Sequence, residues 1–399
     1  MIVIPILALC LICPALGIIV GLWLIIQKSR PTVLLLAVVS LVFGYIGSFY
    51  VFKNTDDMYR YVQYMLNLQG FGTLKDYIGA LYSDGGFSTF GLNAKTWPLS
   101  GVIMYFASRG NPLYTYRILS GGTLAFTIFT RLYLVCRLIR VENSRQMGAF
   151  IRFTFIAALI FTAPPLRVLS GFRWWLSSSA CYLVVVYIVT HTNSKHLSLV
   201  ATLGFLLAGL LHPMAYIYMA IWLLIRLAFS ERNALLKVMI SVPVILVMVL
   251  YILRTGALTQ LMAQGMAYIR VDESTYDFIF NIIISIASVF SVATIFHYRN
   301  ALGKQLSLYL VAIQCVTIST FFFDVFDRFY QFSVPMILIT VLIIIYKLNI
   351  PAFLSVRFWL SWFSVMLIYA LLYVVNFDSV IPSLGKGIIS LLFWPVKVW

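Results

Sequence analysis

The sequence has few charged residues. Only 10% of its 399 residues are Asp, Glu, Lys or Arg, whereas soluble chains average about 25%. Hydrophobic residues make up 62% of the chain, which is more apolar surface than a soluble protein of this length can hide. The scarcity of charge therefore excludes an ordinary soluble enzyme and predicts an all-α, polytopic integral membrane protein.

Acidic residues are the rarer of the two charge types. The chain has 12 Asp and Glu against 28 Lys and Arg, for a net charge of +16. In a membrane protein, basic residues collect on cytoplasmic loops by the positive-inside rule. The charge is therefore not read as a nucleic-acid surface, and no nucleic-acid partner is expected.

Cysteine is also scarce. The five cysteines all lie inside apolar runs and show no spacing typical of metal ligands. A disulfide framework is therefore not predicted, and neither a metal site nor another cofactor is expected.

Long apolar runs, by contrast, recur along the whole chain. A helix of about 20 apolar residues crosses a hydrocarbon core of about 30 Å. The runs predict one transmembrane domain over residues 1–399 with about twelve spans, plus short re-entrant or interfacial segments at 97–108 and 386–399. The predicted spans are residues 2–26, 32–52, 114–136, 153–163, 174–190, 197–211, 214–229, 238–253, 278–296, 306–323, 329–346 and 352–375.

Charge in the loops predicts the orientation of these spans. Lys28 and Arg30 mark the first loop as cytoplasmic, which places the amino terminus outside. Most acidic residues then fall on the outer side, where loops 53–113 and 254–277 are expected to form part of an active-site cover. Eight arginines also fall there, against the positive-inside rule: Arg60, Arg109, Arg117, Arg167, Arg173, Arg254, Arg270 and Arg328.

The first candidate site follows the second predicted span. If residues 56–64 are helical, Asp57, Arg60, Tyr61 and Tyr64 share one face. Asp56 and Asp57 would supply a general base, a cation site or hydrogen bonds to sugar hydroxyls, and the tyrosine rings would stack on sugars. The alternative is a solvated loop with an Asp–Arg pair.

The second candidate site is a short polar turn at residues 164–175. Arg167 and Arg173 each present a planar guanidinium that binds phosphate through two hydrogen bonds, so together they would hold a pyrophosphate. Gly171 permits close backbone approach, while Trp174 and Trp175 would anchor the helix at the membrane interface. The alternative is that both arginines reach lipid headgroups.

Two further groups lie at predicted outer helix ends. His212 is the only histidine on the predicted outer side, and histidine side chains in general can transfer a proton near neutral pH. A hydrogen-bonded histidine at a helix end is the alternative. Asp327, Arg328 and Tyr330 follow another predicted span. Arg328 would either bind an anion or form an ion pair within the protein. Arg254 and Arg270 lie in the second outer loop and would belong to a cover.

These motifs together resemble the EpsG-like branch of Wzy-type polysaccharide polymerases. The likeness covers roughly residues 40–350. It departs from the family pattern at Trp174-Trp175 and at Pro213. The motifs that carry it, in chain order, are Asp57-x-x-Arg60-Tyr61, Ser170-Gly171-Phe172-Arg173-Trp174, Leu211-His212-Pro213 and Asp327-Arg328-Phe329-Tyr330.

The resemblance implies a GT-C type glycosyltransferase in the bacterial inner membrane. Such an enzyme joins undecaprenyl-pyrophosphate-linked repeat units on the outer face, with the growing chain as donor and a new lipid-linked unit as acceptor. Membrane lipid, a chain-length regulator protein and a flippase are the partners it implies.

Two other functions remain open at this point. A different GT-C enzyme would use a polyprenyl-phosphate sugar and modify one acceptor once, with Asp56 and Asp57 as its acids. A flippase for the lipid-linked unit would carry its charges near mid-membrane. In the polymerase, arginines would offset the charge of the leaving pyrophosphate, and His212 or Asp57 would be the base.

Overall fold

The computed structural model describes residues 3–28, 30–49, 57–83, 87, 94–139, 145–163, 165–191, 196–229, 275–319 and 326–348. Within these ranges the regular structure is helical throughout, as the composition predicted, and includes no strand. The chain divides into two compact units. The first comprises the described residues up to 94 and residues 99–183, and the second comprises 95–98 and the described residues from 184 onward.

The helices are named in chain order. They are α1 (Val3–Ile12), α2 (Pro14–Gln27), α3 (Val33–Ser48), α4 (Asp57–Leu68), α5 (Leu74–Tyr82), α6 (Pro98–Ala107), α7 (Pro112–Leu138), α8 (Arg145–Phe161), α9 (Pro165–Ser170), α10 (Phe172–Thr190), α11 (Leu197–Leu211), α12 (Ala215–Ala228), α13 (Thr275–His297), α14 (Arg299–Leu302), α15 (Lys304–Ser319) and α16 (Phe326–Leu348).

Several helices begin at residues suited to capping. The Thr32 side chain accepts a hydrogen bond from the Leu35 amide at the start of α3. Thr73 and Asp76 form a reciprocal capping box at the start of α5. Asn111 caps α7, whose first residue is proline. Each cap satisfies backbone N–H groups that have no partner within the helix.

The backbones of α3 and α7 meet at two glycines in the first unit. A Cβ atom built on Gly44 would lie 2.4 Å from the Gly121 carbonyl oxygen, and one on Gly121 would lie 2.5 Å from the Gly44 oxygen. Glycine at both positions is therefore required for this close approach. Small residues at helix crossings are typical of proteins packed in lipid.

Two helices, α7 and α10, are long and apolar enough to cross a membrane by length and composition. They match the predicted spans 114–136 and 174–190. The shorter apolar helices include α3, α11 and α12, which match the predictions at 32–52, 197–211 and 214–229. The segment predicted to be short at 97–108 is the ten-residue helix α6.

Other predicted spans differ from the structure. Residues 2–26 were expected to form one span, but α1 and α2 are separate helices, because Pro14 has no N–H with which to continue α1. The predicted span 153–163 overlaps the longer α8, which ends at Phe161 and also contains Arg152. The predictions at 238–253, 352–375 and 386–399 lie outside the described residues.

In the second unit, polar contacts tie three helices together. The Arg226 guanidinium of α12 donates to Ser198 Oγ of α11 at 2.9 and 3.1 Å, and to Gln305 Oε1 of α15 at 2.8 Å. Tyr218 of α12 stacks on Phe332 of α16 with ring centroids 4.0 Å apart. The hydrogen bonds to Ser198 and Gln305 give Arg226 a structural role.

Candidate functional site

The helix predicted after the second span is present as α4, but its predicted polar face is divided. Tyr61 and Tyr64 are buried, with 4% and 0% of their surface exposed, whereas Arg60 is exposed. The residues of this face therefore differ in environment, because Tyr61 and Tyr64 pack inward while Arg60 is exposed at the edge of the face. The Asp57 side chain and all of Asp56 lie outside the described residues.

The predicted turn at 164–175 is largely helical. Residues 165–170 form α9, and α10 begins at Phe172 after a break at Gly171. The Gly171 carbonyl accepts from the Trp175 amide at 3.2 Å, so Gly171 caps α10. Arg167 lies within α9, and its side chain is outside the described part of the structure.

Trp174 and Trp175 do not take the predicted interfacial position. Their exposed fractions are only 8% and 1%. Tryptophan anchors at a membrane interface keep one edge toward the headgroups. Both rings instead contribute to the packed interior at the start of α10.

Arg173 and Tyr61 come together from distant parts of the chain. Arg173 Nε donates a hydrogen bond of 2.9 Å to the Tyr61 hydroxyl oxygen. The Arg173 Cζ also lies 5.2 Å from the centroid of the Tyr61 ring, within the range of a cation–π contact. The half-buried guanidinium is thereby fixed at the first turn of α10.

Two aromatic rings support Tyr61. Tyr116 of α7 stacks on it with centroids 5.5 Å apart and ring planes 16° apart. Phe172 meets Tyr61 and Tyr116 edge-on, at 5.2 and 6.0 Å. The Tyr116 hydroxyl donates to the Ser170 carbonyl at 3.4 Å, so this three-ring cluster joins α4, α7 and the α9–α10 junction.

The arrangement suits recognition of an anion. A guanidinium offers several N–H donors in a planar fork, and the amino-terminal end of α10 adds a partial positive charge. Apolar ring faces beside the cation lower the local polarity, which strengthens electrostatic attraction. The Arg173–Tyr61 pair is therefore the candidate site. Two separate motifs named Arg173 and Tyr61, but neither contained Tyr116, and Phe172 was given no role.

Tyr64 belongs to a separate aromatic cluster in the segment predicted to lie outside the membrane. Its hydroxyl lies 3.1 Å from that of Tyr77, and Tyr77 stacks on Tyr105 at 5.6 Å. Phe71 and Phe87 close the cluster. Tyr64 is thus held inside the protein, which is not the position expected for stacking on a sugar.

Burial changes the acidity of this tyrosine pair. It raises the pKa of Tyr64 far above its usual range, with the neighbouring Tyr77 adding to the effect. Burial also raises the pKa of Tyr77, to about 12. Both hydroxyls therefore remain neutral at physiological pH, and neither is suited to act as a base.

Arg109 is one of the predicted outer arginines, and its contacts are structural. Its terminal nitrogens donate to the Leu68 carbonyl at 2.6 Å and the Phe71 carbonyl at 2.9 Å. The guanidinium also lies 4.2 Å from the centroid of the Tyr105 ring. Arg109 therefore caps the carboxyl end of α4.

Two buried arginines that no sequence motif singled out make contacts inside the protein. Arg152 of α8 is 0% exposed and donates to the Ile25 carbonyl at 3.0 Å, the Ile139 carbonyl at 2.6 Å and the Lys28 carbonyl. It caps the carboxyl ends of α2 and α7 together. Arg131 of α7, 1% exposed, lies 5.5 Å from the Trp175 ring centroid.

His212 lies in the second unit, at the carboxyl end of α11. It is buried, and its amide donates to the Ala208 carbonyl at 3.0 Å. The Met214 amide donates to His212 Nδ1 at 3.4 Å, which places the proton of the neutral ring on Nε2. This capping geometry matches the structural alternative for His212, because the ring nitrogen that carries the lone pair already accepts from the Met214 amide.

The remaining predicted site residues have no described side chains. Asp327, Arg328 and Tyr330 lie in the first turns of α16, while Arg254 and Arg270 fall outside the described ranges. Among the described residues, no group of three or more His, Cys, Asp or Glu residues could hold a metal ion.

Comparison of the chain with known protein families, with curated proteins and with solved structures finds no match.

Proposed function

We propose that the chain is a membrane-embedded glycosyltransferase that polymerises polyprenyl-pyrophosphate-linked oligosaccharide units on the outer face of a bacterial inner membrane. The donor is the lipid-linked growing chain, and the acceptor is the sugar of a new lipid-linked unit. The reaction inverts the anomeric centre in one displacement.

The contact between Arg173 and Tyr61 carries this proposal. One nitrogen of the guanidinium is engaged by the Tyr61 hydroxyl at 2.9 Å, which holds the charged plane in one orientation. Because the cation is half-buried beside the Tyr61 ring, its interaction with a pyrophosphate is stronger than in water. Tyr61 is therefore a positioning residue for Arg173.

The chemical step needs little beyond charge stabilisation and a base. A hydroxyl oxygen of the acceptor sugar forms a bond to the anomeric carbon, and the bond from that carbon to the pyrophosphate oxygen breaks. The leaving pyrophosphate takes the bonding electron pair, and Arg173 stabilises the negative charge that develops. The hydroxyl proton passes to a base, for which Asp57 is the candidate, because Nδ1 of His212 already accepts from the Met214 amide.

Outward-facing apolar side chains support a location in lipid. Ile118, Phe150, Leu224 and Phe290 expose 69, 62, 62 and 60% of their surface. Soluble monomers rarely expose extensive apolar surface. The multi-pass arrangement in the inner membrane is part of this proposal, and the candidate spans α7 and α10 support it.

Reconstitution with a purified lipid-linked repeat unit tests the proposal. We expect wild type to give a ladder of lipid-linked oligomers. Arg173→Ala should slow chain growth by about 100-fold or more, as loss of one charge-stabilising donor does in other transfer enzymes. Tyr61→Phe keeps the ring and removes one hydrogen bond to a charged group, so a loss of about 10-fold is expected.

Tyr59→Phe is the matched control, because Tyr59 is a half-exposed tyrosine on the same helix. Its chain growth should equal that of wild type. Normal elongation by folded Arg173→Ala would overturn the pyrophosphate-binding role. A single sugar adduct in place of a ladder would identify the polyprenyl-phosphate-dependent alternative, and vesicle transport of the lipid-linked unit without any product would identify a flippase.

A further inference from the structure

The first two helices form a tight hairpin. α1 ends at Ile12, Cys13 has an extended backbone (φ −144°, ψ 99°), and α2 begins at Pro14. Proline has no N–H and its fixed φ suits the first position of a helix. The chain therefore stops one helix and starts another within two residues.

Contacts between the two helices show that they run antiparallel. A Cβ atom on Gly17 would lie 2.2 Å from Cys10 Sγ, and one on Gly21 would lie 3.8 Å from Ile6 Cγ2. In a continuous helix, residues seven apart are separated by about 10 Å along the axis. The contacts require that α2 folds back along α1.

Neither helix is long enough to cross a bilayer. α1 has 10 residues and α2 has 14, which correspond to about 15 Å and 21 Å of helix. The hydrocarbon core is about 30 Å thick. A hairpin of this length reaches only part of the way through.

One side of the hairpin is covered and the other is exposed and apolar. α1 and α2 both pack against α3. On the outward side, Ile4, Ile12, Ile19 and Trp23 expose 73, 74, 61 and 58% of their surface. No charged residue occurs from Val3 to Gln27, and the basic residues Lys28 and Arg30 follow directly.

We propose that this α1–α2 hairpin is a re-entrant anchor whose exposed face is covered by the acyl chains of one bilayer leaflet. Lys28 and Arg30 at its open end face the headgroups, and their charge suits the anionic lipids of a cytoplasmic leaflet. The amino-terminal end of α1 then lies on the same side as Lys28 and Arg30. This replaces the expected crossing by residues 2–26 and leaves the orientation of α3 unchanged.

The inference shares with the proposed function only the premise of a membrane protein. Its test is a labelling experiment on the full chain. If the protein did not polymerise sugar but its cysteines were labelled as expected, the proposed function would be wrong and the hairpin proposal would still hold.

The experiment places single cysteines at both ends of the hairpin. Val3→Cys and Ser29→Cys are made separately in a chain whose five native cysteines are replaced, and sealed vesicles of known orientation are treated with a membrane-impermeant maleimide. We expect both cysteines to react from the same, cytoplasmic side. Reaction from opposite sides would overturn the proposal.

Removal of the break gives a second readout. Pro14→Ala allows residues 3–27 to form one continuous helix of about 37 Å, so Val3→Cys should move to the opposite side while Ser29→Cys stays in place. Pro5→Ala is the matched control, because Pro5 lies in the first turn of α1 and should leave both labels unchanged. If Val3→Cys still reacted from the cytoplasmic side in Pro14→Ala, the result would contradict the role of Pro14 in separating the two helices.

The occupant of the exposed face is tested by a photoactivatable side chain at Ile19. Adducts with lipid are expected. A crosslinked dimer without lipid adducts would show that a second copy of the chain covers this face, and would overturn the assignment to acyl chains.

Discussion

Gly44 and Gly121 bring the backbones of α3 and α7 into direct contact, since a Cβ atom on either would lie within 2.5 Å of the other's carbonyl oxygen. Backbone cannot move aside as a flexible side chain can. The crossing therefore depends on the absence of both side chains. It also lies in the unit that contains Tyr61, Tyr116 and Arg173.

Gly121→Ala is expected to destabilise the protein by about 1–3 kcal/mol, the usual cost of overpacking. Thermal unfolding of the purified protein in detergent measures the effect. Gly122→Ala is the matched control, because a Cβ atom at Gly122 would meet nothing within 4 Å. That variant should be neutral or more stable by about 0.5–1 kcal/mol, through helix propensity. Equal melting temperatures for the two variants would contradict the role of the crossing.

The Tyr64–Tyr77 pair predicts a loss of stability at high pH. An unfolded tyrosine releases its proton near pH 10, whereas Tyr77 in the folded protein has a pKa of about 12 and that of Tyr64 is raised further. Above pH 10 the unfolded state therefore binds fewer protons than the folded state, so stability falls as pH rises. Below about pH 9 the pair should contribute no pH dependence.

Denaturation as a function of pH checks this, with tyrosinate absorbance as the second observable. Tyr77→Phe should reduce the slope between pH 10 and 12, and the double variant with Tyr64→Phe should reduce it further. Tyr59→Phe is the control, because Tyr59 is a half-exposed tyrosine on the same helix as Tyr64. A slope that is unchanged in the double variant would assign the alkaline loss to other groups.

Arg109→Ala should weaken the carboxyl end of α4. The substitution removes hydrogen bonds to the Leu68 and Phe71 carbonyls, and hydrogen bonds to charged groups contribute about 1.5–3 kcal/mol each. Faster amide hydrogen exchange around residues 66–72 is the expected result. Arg109→Lys should restore only part of the protection, because lysine lacks the planar fork.

Lys75→Ala serves as the comparison, because Lys75 is an exposed cation on the neighbouring helix. It should leave the exchange rates of α4 as they are in wild type. If Lys75→Ala and Arg109→Ala raised exchange alike, the effect would come from net charge rather than from capping.

The length of the apolar runs predicted much of the helical structure. Apolar runs identified α3, α7, α10, α11 and α12, since hydropathy and helix length are local properties. The hairpin of α1 and α2 was not predicted, because residues 2–26 are uniformly apolar. Hydropathy alone does not indicate where a helix ends and the chain turns back. Pro14 was the available signal.

The site was predicted less completely than the helices. Motif reading selected Arg173 and Tyr61, which the structure brings together. It also grouped Arg60 and Tyr64 with them, although Arg60 is exposed and Tyr64 pairs with Tyr77. Which face of α4 turns inward depends on its packing against α7 and α9, and that packing has no local sequence signature.

The buried contacts of Arg152 impose an order on biosynthesis. Ile25 and Arg152 are 127 residues apart, so the carboxyl end of α2 is synthesised long before the cation that caps it. At about 5–20 residues per second, roughly 6–25 s separate the two. During that interval the emerging chain carries α2 without its partner, and α8 completes the amino-terminal region only when it arrives.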